Sequence, residues 1–292
     1  MHITVLRKVA VDFLVTNPSG YYLDVTGGAG GHAEEILKKL DLNGRLIVCD
    51  QDPKAVDLLS TKFSDSRVEV RRARFSEVFE KKENFDGILA DLGISSNQLD
   101  DAQRGLSFLR DGPLDMRLNP NETETAAHVI MERSEEELAN IFFHFGEERY
   151  SRKIAKAIVR VRAHQEFKTT FDLKEIVEKE LGPLYRRQKI HPATRIFQAL
   201  RIFVNDEMEE LKKLLSGIKN HLSKGGRAVV ISFHSLEDRE VKKAFNEVVS
   251  SEGITQGFKR ITKKPVVPTD LEIKENPRAR SAKLRVLERR IT

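Results

Sequence analysis

The stretch YYLDVTGGAGGHAEEIL, residues 21–37, constrains the fold more than any other part of this chain. Tyr21–Val25 is apolar and β-prone, and Ala33–Leu40 carries apolar residues at helical spacing. Between them lie Gly27, Gly28, Ala29, Gly30 and Gly31. Glycine lets the backbone take positive φ and approach a ligand closely. Where a strand hands over to a helix N-terminus, such a loop marks the ligand edge of an open α/β sheet.

The following residues extend that pattern. His32–Leu40 reads as a helix, Arg45–Cys49 as a second strand and Pro53–Phe63 as a helix with proline near its start. Val68–Arg72 is a third strand, and Asp86–Ala90 a fourth that ends at Asp91. Strands alternating with helices in units of this length predict a parallel, doubly wound sheet. The alternation then stops. Residues 103–206 hold almost no strand signal, and the runs 134–163 and 170–184 are helical, with caps at Ser134 with Glu137 and at Thr170 or Asp172. Strand signal returns at GGRAVVISF, residues 225–233, before a helix over Leu236–Val249. Two basic runs, Phe258–Thr262 and Ala282–Glu288, suit an antiparallel pair. The expected organisation is an α/β core over 1–102 and 207–292, interrupted by a helical insertion over 103–206.

Composition sets the outer limits. There are 292 residues, a third of them charged, and no apolar run long enough to span a bilayer. The first twenty residues place Arg7, Lys8 and Asp12 in an amphipathic pattern, which argues against a secretory leader. The single cysteine, Cys49, cannot form an internal disulfide and fits a reducing compartment, hence the cytoplasm. Eight scattered histidines without Cys/His ligand spacing predict no metal site. A net charge of +5 is modest, but clusters at Arg71, Arg72 and Arg74, at Arg186, Arg187 and Lys189, and at Arg278, Arg280, Lys283 and Arg285 suggest a polyanion partner.

Two ligands compete for the glycine loop. Gly28 to Ala33 satisfies the dinucleotide pattern G-x-G-x-x-A, in which a pyrophosphate sits on the helix N-terminus. The loop also resembles the first motif of S-adenosylmethionine-dependent methyltransferases, with Asp24 as the acid before the glycines. Asp50, closing the second strand, would suit the ribose hydroxyls of either ligand. Asp24 and Asp91 favour the methyl donor, because its sulfonium and ammonium are cationic and a pyrophosphate is not.

Four longer motifs narrow the reading: DGILADLGISSNQLDDAQRGLSFLRDGPLDMRL at 86–118, HPATRIFQALRIFVNDE, ISFHSLEDREVKKAF and NPRARSAKLRV. With these, the chain closely resembles the bacterial ribosomal RNA small-subunit methyltransferase H family from about His2 to Arg289. The resemblance implies a class I (Rossmann-like) methyltransferase sheet with an inserted all-helical domain for substrate recognition. It implies methyl transfer from S-adenosylmethionine to the exocyclic N4 of a cytosine in 16S rRNA, near the decoding region, on the RNA or on the small-subunit particle. The donor-binding positions it implies are Gly30, Gly31, His32, Asp50, Phe75, Asp91 and Gln98. Ala33 stands where the family has Ser, and Thr4 and Lys8 where it has Pro and Glu.

The chemistry asks for a base-like group. A cytosine amine is a poor nucleophile, so the site must hold nitrogen, methyl and sulfur in line and accept an N–H hydrogen bond. Asp91 is the expected catalytic carboxylate, and the target base must leave its stack to reach it. Cys49, inside an apolar strand, reads as buried structure rather than as a nucleophile for carbon-5 chemistry. Arg195, Gln198, Arg201 and Asn205 form a polar stripe that is either a buried network or an RNA contact. In FHSLED, Ser235 with Asp238 fits a capping box, and His234 is a candidate to face the pocket. The competing functions are a nicotinamide-dependent oxidoreductase and a non-catalytic ribosome-assembly factor.

Overall fold

The computed structural model describes residues 4–186, 190–250 and 257–291. The chain forms two compact units, Met1–Gly93 with Met208–Thr292, and Ile94–Glu207.

Among the described residues the first unit is built on seven strands: β1 (Tyr21–Asp24), β2 (Arg45–Asp50), β3 (Val68–Arg72), β4 (Phe85–Asp91), β5 (Leu222–Ser232), β6 (Phe258–Arg260) and β7 (Lys283–Arg289). Their order is β3-β2-β1-β4-β5-β7-β6. The first five are parallel, and β7 lies antiparallel to both β5 and β6. This is the class I, Rossmann-like methyltransferase sheet, whose strand order reverses between β1 and β4.

Side chains alternate across the sheet with the two-residue period of a strand. Tyr22, Leu46, Val48, Leu89, Val229 and Ile231 enter one core with Val11, Leu14 and Ile36 from the helices Arg7–Leu14 and Gly31–Lys39. Leu23, Ile47, Cys49, Ile88, Ala90 and Val230 enter the other, with Leu211, Leu214, Val241 and Phe245 from the helices Glu207–His221 and Ser235–Ser250. Both faces are therefore covered, which explains why these strands read as nearly continuous apolar runs. Two expectations shift in detail. β5 begins at Leu222, before the expected Gly225, and β7 threads between β5 and β6 as well as pairing with β6.

The second unit is helical, with helices Ala126–Glu132, Glu135–His144, Ser151–Arg162, Thr170–Tyr185 and Ala193–Val204 around a core that includes Phe142, Ile154, Ile158, Leu173 and Leu200. Ser134 and Glu137 form the expected capping box. The next cap is Thr169, paired with Asp172, so Thr170 is already inside its helix. The polar stripe on Ala193–Val204 resolves as internal ties. Gln198 donates to the Phe145 carbonyl, Arg201 grips Glu207, and buried Asn205 bonds the backbone of Met116 and Leu118. Arg195 donates to the Glu147 carbonyl. Among the described residues no helix is long and apolar enough to cross a membrane.

Candidate active site

The carboxyl ends of β1, β2 and β4 bring three acids, Asp24, Asp50 and Asp91, to the edge where the glycine loop opens. The loop is shaped by what glycine alone permits. A Cβ on Gly27 would lie 2.6 Å from Leu59 and 2.7 Å from Val48, and Gly30 sits at φ +76° as the cap of its helix. The loop also satisfies several of its own donors. Gly27 donates to the Cys49 carbonyl at 2.7 Å, Gly28 to Asp50 Oδ2 at 2.8 Å and Gly30 to the Gly27 carbonyl at 2.7 Å. Those N–H groups are spent inside the protein, which removes much of what a pyrophosphate would need.

Asp24 is only 1% exposed. Its Oδ1 accepts from the Thr26 backbone at 3.0 Å, while Oδ2 is buried without a hydrogen-bond partner. Burial pushes this carboxyl up to about 7; the bonds from Thr26 pull it back, and the Asp50 charge adds to the rise. Burial also raises Asp50, against the hydrogen bonds from Asp52 and Gly28 that favour its charge. Asp91 is held from behind, its backbone N–H donating to Thr26 Oγ1 at 2.7 Å. Its Oδ1 is buried and unpartnered. Burial keeps Asp91 well above the usual carboxylate range, and the charges of Asp24 and Glu237 add to this.

Desolvated acids with buried, unpartnered oxygens gain from a nearby cation, which favours their ionised form, and gain nothing from an anion. One unit charge at 4 Å from another is worth about 4 kcal/mol at an effective dielectric near 20. Orphaned oxygens on Asp24 and Asp91 therefore fit the ammonium and sulfonium of S-adenosylmethionine, and Asp50 retains acceptor capacity for ribose hydroxyls.

The other expected positions fall as follows. His32 opens the helix Gly31–Lys39 with its ring buried, Nε2 at 3.1 Å from the Val5 carbonyl and Nδ1 at 3.7 Å from Asp91 Oδ2. Phe75 follows β3, half-buried against the sheet core. Gln98 belongs to the helical unit, where its side chain accepts from Ser95 in the capping box of the short helix Ser96–Asp100. His234 lies just beyond β5, 90% covered, with Nε2 at 3.1 Å from Glu237 Oε1. The Glu237 carboxylate accepts from the Phe233 backbone at 2.7 Å. Asp238 carries Arg285 at 2.7 Å and Lys283 at 3.2 Å from β7. Cys49 is a buried free thiol that burial pushes up to about 12, so it holds no thiolate at neutral pH.

Three contributors escaped the sequence reading. Thr26, between the acid and the glycines, ties β1 to β4; a hydroxyl two residues after an Asp is a recognisable local turn signal. Glu237 is a buried acid inside a helical run, visible only once the sheet is assembled. Val5 contributes a backbone carbonyl, which no side-chain pattern announces. The basic clusters are partly consumed by ion pairs. Arg71 bonds Glu69 and Glu83, and Lys283 and Arg285 bond Asp238, whereas Arg280 is exposed. Of the middle cluster, Arg187 and Lys189 lie outside the described residues.

Comparison with known proteins matches residues 1–290 to the MraW methylase family. A ribosomal RNA small subunit methyltransferase H from Koribacter versatilis (strain Ellin345) is 45% identical over 302 residues, spanning 99% of this chain and 94% of the relative. The protein of that name from Picosynechococcus sp. (strain ATCC 27264 / PCC 7002 / PR-6) is 46% identical over 289 residues, spanning 98% and 96%. Similarity of this extent covers both compact units and every position discussed above.

Proposed function

The chain belongs to the MraW methylase family, an S-adenosylmethionine-dependent methyltransferase family, and from that premise we propose that it methylates the exocyclic N4 of a cytosine in 16S rRNA, near the decoding region of the small subunit. The observation that carries this reading is the trio Asp24, Asp50 and Asp91 on one sheet edge, two of them with an unpartnered buried oxygen. The same trio disfavours a nicotinamide dinucleotide.

When bound, the donor supplies an electrophilic methyl on a sulfonium, so the protein has to supply orientation, dryness and a place for the proton. Gly30, Gly31, His32, Asp50 and Phe75 would hold the donor, Asp50 by accepting from ribose hydroxyls and Phe75 by covering the adenine face. Asp91 has two tasks. The cationic end of the donor would favour its ionised form, and its carboxylate would accept an N–H of the cytosine amine. That bond localises the nitrogen lone pair and stabilises the positive charge that develops on nitrogen. The helical unit would recognise the substrate, and the exposed Arg280 would engage an RNA phosphate. A ribosomal substrate and a lone reduced cysteine fit a cytoplasmic location.

The test separates binding from chemistry. Asp91→Asn keeps one carbonyl acceptor and loses the charge. Donor affinity is expected within about tenfold of wild type, while single-turnover methyl transfer to small-subunit particles falls by ~10²–10³, the scale of one lost transition-state stabiliser. Wild-type turnover in this variant would remove Asp91 from the chemistry. No methyl transfer by the wild-type protein, with donor binding intact, would favour an assembly factor instead.

A further inference from the structure

The first helix starts in a way that its own sequence does not support. Leu6, the residue before the helix Arg7–Leu14, sits in the left-handed region at φ +51° and ψ +28°, a conformation that costs a leucine free energy. Leu6 has no side-chain oxygen to cap the helix, and the first turn carries no acid to meet the helix dipole. A carboxylate arrives instead from the far end of the chain. Glu272, in the short helix Asp270–Glu275, accepts the Leu6 N–H on Oε1 at 2.6 Å, across 266 positions of sequence. The backbone of Glu272 is itself fixed, its N–H donating to Thr269 Oγ1 at 3.2 Å and its carbonyl accepting from Asn276 at 2.7 Å. Val5 and Leu6 are buried in one core with Ala279 and Ala282, just beyond that short helix. The segment that Glu272 holds lies on the glycine loop. Thr4 packs on Gly31, where a Cβ would meet Thr4 Oγ1 at 1.8 Å and Thr4 Cβ at 2.9 Å. The Val5 carbonyl is 3.1 Å from His32 Nε2. Two consecutive donor positions thus rest against two consecutive residues. Arg7 bonds Glu34 at 3.0 Å, so the first helix has its own tie to the helix Gly31–Lys39, whereas the residues before it take their path from the turn at Leu6.

We propose that Glu272 is a positioning residue for the methyl donor: its carboxylate latches the turn at Leu6, and Thr4–Leu6 in turn brace Gly31 and His32 in the shape that receives the donor. The proposal rests on the reading of Gly30, Gly31 and His32 as donor positions. Glu272 acts through Leu6 and touches no reacting group. Its contribution is pre-organisation, because a loop already fixed loses less freedom when the donor binds. Such coupling is reciprocal, so a bound donor tightens the latch by the same factor.

Two readouts test this. The first uses the wild-type protein and no turnover: hydrogen exchange of the Leu6 amide is followed by NMR with and without saturating S-adenosylmethionine. The donor should slow that exchange by ~10-fold. An unchanged rate with donor bound overturns the latch, and this holds even if the variants below fail to fold. The second compares donor affinity, single-turnover transfer at saturating donor, and urea unfolding in Glu272→Ala and Glu272→Gln. Glu272→Ala should bind the donor ~10-fold more weakly, the scale of one lost hydrogen bond to a charged group. Its transfer rate at saturating donor should stay within about threefold of wild type, because the residue positions the donor and takes no part in the chemistry. Glu272→Gln keeps an amide oxygen for the Leu6 N–H and should recover most of the affinity. A loss of stability in Glu272→Ala with unchanged donor affinity would make Glu272 structural only and overturn the proposal. A fall in the saturating rate with affinity intact overturns it as well. Equal donor binding by wild type and Glu272→Ala refutes the latch alone, whereas a wild-type protein that binds no donor refutes the reading of the glycine loop itself.

Discussion

Replacing Asp24 by Asn should make the donor-free protein more stable at alkaline pH and a weaker binder of its donor. Burial holds this carboxyl at about 7, against an ordinary 3.8. The folded protein thus binds the proton more tightly than the unfolded chain, and ionisation opposes folding. The opposing contribution is absent below pH 3.8, grows as pH rises towards 7, and is complete above it. At ~1.4 kcal/mol per pH unit, this gap amounts to ~4 kcal/mol. Asn keeps the acceptor used by Thr26, but its amide inherits the unpartnered position of Oδ2, at a cost of ~1–3 kcal/mol. The variant should therefore gain ~1–3 kcal/mol over wild type at pH 8, and lose ~1–3 kcal/mol near pH 4, where both side chains are neutral. Urea unfolding followed by circular dichroism at pH 4.5, 6 and 8 measures the difference, and subtracting the variant from wild type cancels every other titrating group. Calorimetry at pH 8 should show donor affinity reduced at least about tenfold, since a neutral amide no longer attracts a cation. A stability difference that is flat with pH would refute the reasoning, as would undiminished donor affinity.

Other outcomes follow from the same geometry. Gly30→Ala forces a left-handed backbone at φ +76° and puts a methyl 2.9 Å from the Phe63 ring. The conformation costs ~1–2 kcal/mol and the crowding ~1–3 kcal/mol, so thermal stability and donor affinity should both drop; an unchanged melting point would show that the loop is pliable. Cys49→Ser should keep most methyl transfer, because the thiol, pushed up to about 12, offers no nucleophile at neutral pH; a folded but inactive variant would revive covalent chemistry at carbon 5. Arg280→Ala should flatten the salt dependence of RNA binding by about 0.7 in the log–log slope, the share of one phosphate on a single strand. Arg285→Ala breaks the grip on Asp238 and should show instead as a stability loss of ~1–3 kcal/mol in urea unfolding.

What the sequence made legible follows from which physical signals are local. The strand–glycine–helix handover at Tyr21–Lys39 and the acids ending β1, β2 and β4 were readable because period-2 and period-3.6 patterns switch at the glycines. The capping box at Ser134 was readable for the same reason, being complete within four residues. The helix Ser235–Ser250 shows the limit. Ser235 and Asp238 have capping spacing, but the bonds that Asp238 makes to Lys283 and Arg285, some 45 residues downstream, leave no local signal. The placement of β7 between β5 and β6 is equally non-local, since strand order is set by packing of the whole sheet. The Arg195–Asn205 stripe was ambiguous because a buried network and an RNA-binding face use the same residue types. Only the loops that receive those side chains decide between them.

The central claim is methylation of a cytosine amine in small-subunit rRNA, and nucleoside mass spectrometry of that RNA tests it most directly. Small-subunit rRNA is digested from cells with the gene, without it, and complemented with wild type or Asp91→Asn. The account predicts a methylcytidine carrying its methyl on N4 in the first sample, its loss on deletion, its return with wild type, and little or no return with Asp91→Asn. An rRNA nucleoside profile unchanged by deletion would contradict it, as would a lost methyl located on carbon 5.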